Sequence, residues 1–148
     1  MSVQRAEIYP MPMFATLAVR DMAAALGWYQ ALGFQTVFVM PGEKPAMAHL
    51  RWAKYADLLL VPESANVKDP KGAGISLTFM VTDGNVDALA ERARALGAKL
   101  LREPGDRPWN ARDFTVADSD GFALTFTMGP LRKDAKLDDV VGAISSAR

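Results

Sequence analysis

The sequence predicts a duplicated α+β fold, and three observations carry the prediction. Phe14–Phe34 (FATLAVRDMAAALGWYQALGF) and Ile75–Leu100 (ISLTFMVTDGNVDALAERARALGAKL) follow one pattern: an apolar run closing on Val-x-Asp, a helical stretch, then Leu-Gly. Each Leu-Gly is followed by three runs of strand character, so each half reads strand, helix, strand, strand, strand. The 148 residues, 50% hydrophobic, are enough for two such units in one domain. An internal repeat sets the architecture and tells which positions are equivalent.

In the first unit, residues 13–62, Phe14–Val19 reads as a strand and Asp21 as the cap of the following helix. Ala25, Leu26, Tyr29 and Leu32 fall on one helical face, and Gly33 stops the helix before a strand at Phe34–Val39. PGEKP (41–45) marks a loop, and AMAHLRW and ADLLLVP form two more strands separated at Ala53–Tyr55. The second unit, residues 75–128, begins with a strand at Ile75–Val81 and a helix near 84–96 that places Val86, Leu89, Ala93 and Leu96 together. A strand at Ala98–Arg102, a loop EPGDRPWN and a hairpin made of RDFTVAD and FALTFT complete it. Residues 63–74 have the polar and glycine character of a flexible linker. Residues 1–12 read as an arm stiffened by Pro10 and Pro12. The tail 131–148 puts Leu137, Val140, Val141 and Ile144 at helical spacing.

Charge and residue counts exclude whole classes of function. Lysine plus arginine equal aspartate plus glutamate at 17 each, so nothing attracts nucleic acid or an anionic membrane. No window approaches the roughly 18 apolar residues of a membrane span, and the first residues lack signal-peptide order, so a cytoplasmic protein is expected. Cysteine is absent and His49 is the single histidine. Disulfides, thiolate sites and cysteine nucleophiles are thereby excluded. Ser76 has no histidine at a spacing that predicts a hydrolase, and the glycines at 72 and 74 do not open a phosphate loop.

The duplicated unit, with Val-x-Asp, Leu32-Gly33-Phe34 and Asp118-Ser119-Asp120-Gly121 in order over about residues 13–128, resembles the vicinal oxygen chelate superfamily. That group includes glyoxalase I, extradiol dioxygenases, and fosfomycin- and bleomycin-resistance proteins. The resemblance implies two βαβββ modules forming a cupped mixed sheet. Arg107-Pro108-Trp109-Asn110 before the last hairpin is similar to the bleomycin-resistance branch, which implies that Trp109 lines a drug-binding groove. Two departures count against bleomycin itself. The branch's second stacking aromatic falls on Ala46 or Met47, and the chain is neutral where that branch is acidic.

Catalytic members hold a divalent metal at positions that fall here on Phe14, Leu59, Ser76 and Thr125. These side chains cannot replace imidazoles and carboxylates, so no metal and no cofactor is expected. His49 lies off those positions and is open to two readings, a structural or groove-lining residue or an acid–base group. Asp118 and Asp120 read as turn residues bonded to their own backbone.

Strand alternation turns Leu17, Val19, Phe79, Val81, Leu124 and Phe126 toward the helices. Phe14, Thr16, Ser76, Thr78, Met80, Ala123, Thr125 and Thr127 then line the other, concave face. The ligand-binding set is Trp109 for stacking, Phe14, Met47, Leu59 and Met80 as apolar wall, and Ser76, Thr78 and Thr125 for hydrogen bonds. Phe38 and Trp52 add aromatic surface, His49 lines the groove, and Arg112 pairs with an acidic group on the ligand. The resulting expectation is a homodimer that sequesters a small aromatic or hydrophobic antibiotic or metabolite without turnover. The alternative is a lyase, isomerase or oxygenase with a relocated metal or none, using His49.

Overall fold

Asp21 accepts a hydrogen bond from the Ala24 N–H at 3.0 Å, which satisfies one of the unpaired donors at a helix start and fixes where the first helix begins. In this computed structural model the described residues are 7–42, 45–64, 71–82 and 84–147. The chain divides into two compact units, residues 1–71 and 72–148. No helix is long and apolar enough to cross a membrane among the described residues.

The first unit runs β1 (Ala15–Val19), α1 (Met22–Leu32), β2 (Gln35–Val39), β3 (Ala48–Ala53) and β4 (Ala56–Pro62). Its sheet has the order β1-β4-β3-β2, with β1 parallel to β4 and the other pairs antiparallel. Ala25, Tyr29 and Leu32 are the buried side of α1. Leu26, placed on the same face by its spacing, is only half-buried. Gly33 ends α1 with a φ of 131°, a conformation that costs any side chain and suits glycine. Tyr29 meets Phe34 edge to face with centroids 5.2 Å apart, and Leu17, Val19, Leu50 and Leu60 fill the remaining space. Lys54 and Tyr55 make the tight β3–β4 turn, Tyr55 with a φ of 64°.

The second unit runs β5 (Ser76–Met80), α2 (Val86–Ala95), β6 (Lys99–Arg107), β7 (Ala111–Ala117), β8 (Ala123–Met128) and α3 (Leu137–Ser146). Its sheet repeats the first in order and sense, β5-β8-β7-β6, with β5 parallel to β8. Two four-stranded mixed sheets with their helices make the α+β fold of two βαβββ modules that the repeat predicts. Asn85 caps α2 by accepting from the Ala88 N–H at 2.7 Å. Val86, Leu89, Ala90 and Ala93 are its buried side, whereas Leu96 is the C-cap and stays exposed. Phe126 stacks between Phe79 and Phe114 at 5.5 Å from each, and each of these buried rings contributes about 1.5–3 kcal/mol.

One expected boundary is overturned. The segment EPGDRPWN, expected as a loop, is strand as far as Arg107, because the β6–β7 register shifts between Arg102 and Gly105. β6 is an edge strand, so Pro104 sacrifices no bond to an outer neighbour, and the irregularity accommodates it with Gly105. Of the expected linker, 65–70 lie outside the described residues, as do 43–44 of the PGEKP loop and 1–6 of the arm. The described part of the arm is held within its own unit: Tyr9 stacks edge to face on Tyr55 and its hydroxyl accepts from the Tyr55 N–H at 3.0 Å. No residue of α3 is buried.

Candidate functional site

In the second unit, β8 alternates Leu124 and Phe126 toward α2 with Ala123, Thr125 and Thr127 on the other face. The strand registers align a row across all four strands: Thr78 opposite Thr125, Thr125 opposite Thr115, and Thr115 opposite Arg102. Thr125 Oγ1 lies 2.7 Å from Thr115 Oγ1 and 3.2 Å from Ser76 Oγ, so three hydroxyls form one hydrogen-bonded chain. These residues, with Ala123, Thr127, Trp109 and Asp113, line an open depression of about 540 Å³.

Trp109 stands at the β6–β7 turn. Asn110 adopts a φ of 63°, tolerated better by asparagine than by most side chains, and its N–H donates to the Arg107 carbonyl at 3.2 Å. The start of the tail fastens this turn. The Leu131 N–H donates to the Asn110 carbonyl at 3.1 Å, the Arg132 N–H to Asn110 Oδ1 at 2.9 Å, and Asn110 Nδ2 to the Arg132 carbonyl at 2.9 Å. Trp109 is 43% exposed, with the Arg102 guanidinium 5.6 Å from its ring centre. Beneath them Asp113, its side chain 3% exposed, accepts on Oδ1 from Arg102 Nη2 at 2.9 Å and Arg107 Nε at 2.8 Å.

Of the residues read from sequence as ligand-binding, Ser76, Thr78, Thr125 and Trp109 come together here, and Met80 shares their face of β5 opposite Thr127. Phe38, His49 and Leu59 form a row of the first unit's sheet with Thr16, and Phe14 stands two residues before Thr16, exposed. Met47 immediately precedes β3 and is half-buried. Trp52 faces the other way, its ring 5.2 Å from Phe34 in the core. Arg112 likewise points to the helix side of β7. Its Nε and Nη2 donate to Asp87 of α2 at 2.8 and 2.7 Å, and Nη1 donates to Asp106 at 3.0 Å. Those bonds hold the Asp87 carboxyl below its usual range and push the Arg112 guanidinium up. Arg102, Asp113 and Thr115 also occupy the depression, beyond the contacts expected from the sequence. Phe114 and Val116 were the available signal, since two apolar residues facing the helix put 113 and 115 on the opposite side.

The first unit carries its own ionic cluster on the face of His49. Arg51 donates from Nε and Nη2 to the two oxygens of Asp57 at 2.8 and 2.9 Å, and His49 Nε2 lies 2.6 Å from Asp57 Oδ2. Arg51 Nη1 donates to the Glu7 carbonyl at 2.6 Å, and its guanidinium sits 4.2 Å from the Tyr9 ring centre. Burial pushes the Asp57 carboxyl up, but the bonds from Arg51 and His49 outweigh it and hold the group below the usual carboxylate range. The bond to Asp57 raises Arg51 in turn.

A divalent cation does not fit the positions where the resemblance places its ligands. Phe14 and Leu59 offer no donor, and the Ser76 and Thr125 hydroxyls are bonded to each other. Among the described residues no three His, Cys, Asp or Glu side chains are grouped so as to hold an ion. Asp118 is the turn residue its motif suggests, its Oδ1 accepting from the Asp120 and Phe122 N–H groups at 2.9 and 2.8 Å.

Among curated proteins no sequence matches this chain. Among solved structures it is similar to TioX from Micromonospora sp. ML1, at 24% identity and a TM-score of 0.63 over 79% of this chain and 94% of that one. It is also similar to TnmS3, an antibiotic binding protein from Streptomyces sp. CB03234, at 21% identity and a TM-score of 0.63, covering 83% and 98%. A lactoylglutathione lyase from Agrobacterium tumefaciens matches at 20% identity and a TM-score of 0.59, covering 84% and 98%. These likenesses concern the fold. The family model for the glyoxalase/bleomycin resistance protein/dioxygenase superfamily matches residues 12–126, and the chain belongs to that superfamily.

Proposed function

We propose that the second unit's open sheet face binds a small aromatic or hydrophobic molecule, an antibiotic or metabolite, stoichiometrically and without a metal. One observation carries the reading: a half-exposed tryptophan stands beside a chain of three hydroxyls in a depression of about 540 Å³, within the size range of small-molecule sites. Trp109 supplies a stacking surface, Ser76, Thr115 and Thr125 supply donors and acceptors, and Met80 supplies an adaptable apolar wall. The likeness to the antibiotic binding protein TnmS3 supports binding as the activity. The protein acts as a homodimer in this reading, since Phe14, Phe38 and Met80 are large apolar side chains left exposed, and a second copy would cover such residues.

Native mass spectrometry with a library of aromatic natural products tests the proposal. The expected result is a dimer that takes up intact compound, with uptake lost in Trp109→Ala. A monomer that retains no compound, or a compound returned with altered mass, contradicts it.

A second reading is favoured by one specific contact, His49 on the buried Asp57 carboxylate, the pairing by which enzymes orient an imidazole. In that reading the chain is an enzyme, a lyase or isomerase, and the likeness to a lactoylglutathione lyase supports it. His49→Ala then abolishes turnover while ligand uptake persists.

A further inference from the structure

We infer that the molecule bound on the second unit's face is an aromatic anion, a carboxylic acid or an ionised phenol, whose charged group is taken by Arg102 beside Trp109. The inference rests on the proposal that this face binds a small aromatic molecule, and it names the ligand's chemical class. Its basis is a local charge imbalance. The two guanidinium groups of Arg102 and Arg107 meet on one carboxylate oxygen of Asp113, leaving one positive charge in excess.

That excess resides on Arg102. Arg107 is half-buried and spends Nε on Asp113 Oδ1 and Nη2 on the carbonyls of Asp113 and Glu103. Arg102 spends Nη2 on Asp113, remains 42% exposed and lines the depression. A guanidinium carries five N–H donors in a fixed fork that matches the two oxygens of a carboxylate. Asp113 has its charge answered from two sides and its side chain covered, so a cationic ligand finds no open carboxylate in its place.

Position adds a second constraint. Arg102 ends the row that crosses the sheet through Thr115 and Thr125 to Thr78, a distance of roughly 14 Å for three strand spacings. An acid group at Arg102 therefore directs the attached ring system over Trp109 or along the hydroxyls, the span of two or three fused rings. The ring edge would meet Thr115, Thr125 and Ser76, which can donate or accept. Arg112, the arginine that the sequence suggests for this role, is spent on Asp87 and Asp106.

Matched probes separate this inference from the proposal beneath it. 2-Naphthoic acid, 2-naphthamide and 2-naphthylmethylamine share one ring system and carry negative, zero and positive charge at pH 7. Isothermal titration of the full chain is expected to give the acid an affinity roughly tenfold or more above the amide, with the amine weakest. In Arg102→Gln the preference for the acid over the amide should disappear, and Arg102→Lys should keep part of it. Asp113 retains Arg107 in both variants, and unchanged thermal unfolding checks that they fold. Equal binding of all three probes, or a preference that survives Arg102→Gln, overturns the inference and leaves the binding proposal standing. No binding of any probe overturns both.

Discussion

Both units bury one carboxylate on the sheet face turned away from the helix and answer it with arginine, and the two arrangements differ in what they leave open. In the first unit Asp57 uses both oxygens, Arg51 uses three of its nitrogens and is covered by Tyr9, and the result is a closed cluster. In the second unit two arginines share Oδ1 of Asp113, and one of them stays exposed next to Trp109 and three hydroxyls. A closed cluster tied to the chain's own backbone at Glu7 holds the fold together. An open one with guanidinium donors still to spare can hold a ligand. The two carboxylates are also not repeat equivalents, since Asp57 lies in β4, the counterpart of β8, and Asp113 lies in β7.

Removing each carboxylate separates the two arrangements most strongly. Asp57→Ala leaves the Arg51 guanidinium in a nearly closed site without its partner and should cost about 3–5 kcal/mol in urea denaturation. Asp113→Ala leaves Arg102 able to turn to water and Arg107 still donating to two backbone carbonyls, and should cost less, about 1–3 kcal/mol. Equal losses would break the distinction.

Trp109→Ala should reduce affinity for an aromatic ligand about tenfold or more, by the loss of a stacking surface, while thermal stability stays near that of the parent. Acid titration gives a smaller effect with a defined sign. Asp57 is held below its unfolded value of about 3.9, so its stabilisation is complete above about pH 4 and drains away as pH falls toward the folded value. Unfolding followed from pH 5 to pH 2 should show this loss, with a shallower acid limb in Asp57→Asn.

Asn110→Ala should weaken ligand binding only a few-fold, because it frees the Trp109 turn from the tail without removing the ring. The smallest effect is expected from Arg112→Gln, which should leave affinity unchanged, since its partners are Asp87 and Asp106. Loss of binding there would return Arg112 to the site.

Much of the fold was legible because its signals are local. Asp21 and Asn85 cap helices by hydrogen bonds three residues away, and the alternation of β5 and β8 sorts Ser76, Thr78 and Thr125 from Phe79, Leu124 and Phe126. The ionic clusters were not legible, because they depend on register between strands. Arg51 meets Asp57 only because Lys54 and Tyr55 turn the chain tightly, and Arg102 meets Asp113 only across a register shift. The segment 103–107 is strand that continues past Arg102, and the bond from Arg102 to Asp113 spans the shift within it, which the spacing of neither strand alone reveals. Arg112 and Asp113 are neighbours on β7 and point to opposite sides, so Arg112 turns to Asp87 while Asp113 lines the depression.

The proposed binding places the ligand on the second unit's face, centred on Trp109. The indole N–H resonances of Trp28, Trp52 and Trp109, followed by two-dimensional NMR during titration with 2-naphthoic acid, test it most directly. The Trp109 signal is expected to move with saturation, together with the backbone amides of Ser76 and Thr125, while Trp28 and Trp52 stay in place. Movement of Trp52 alone, or of His49 with Trp109 still, would contradict it.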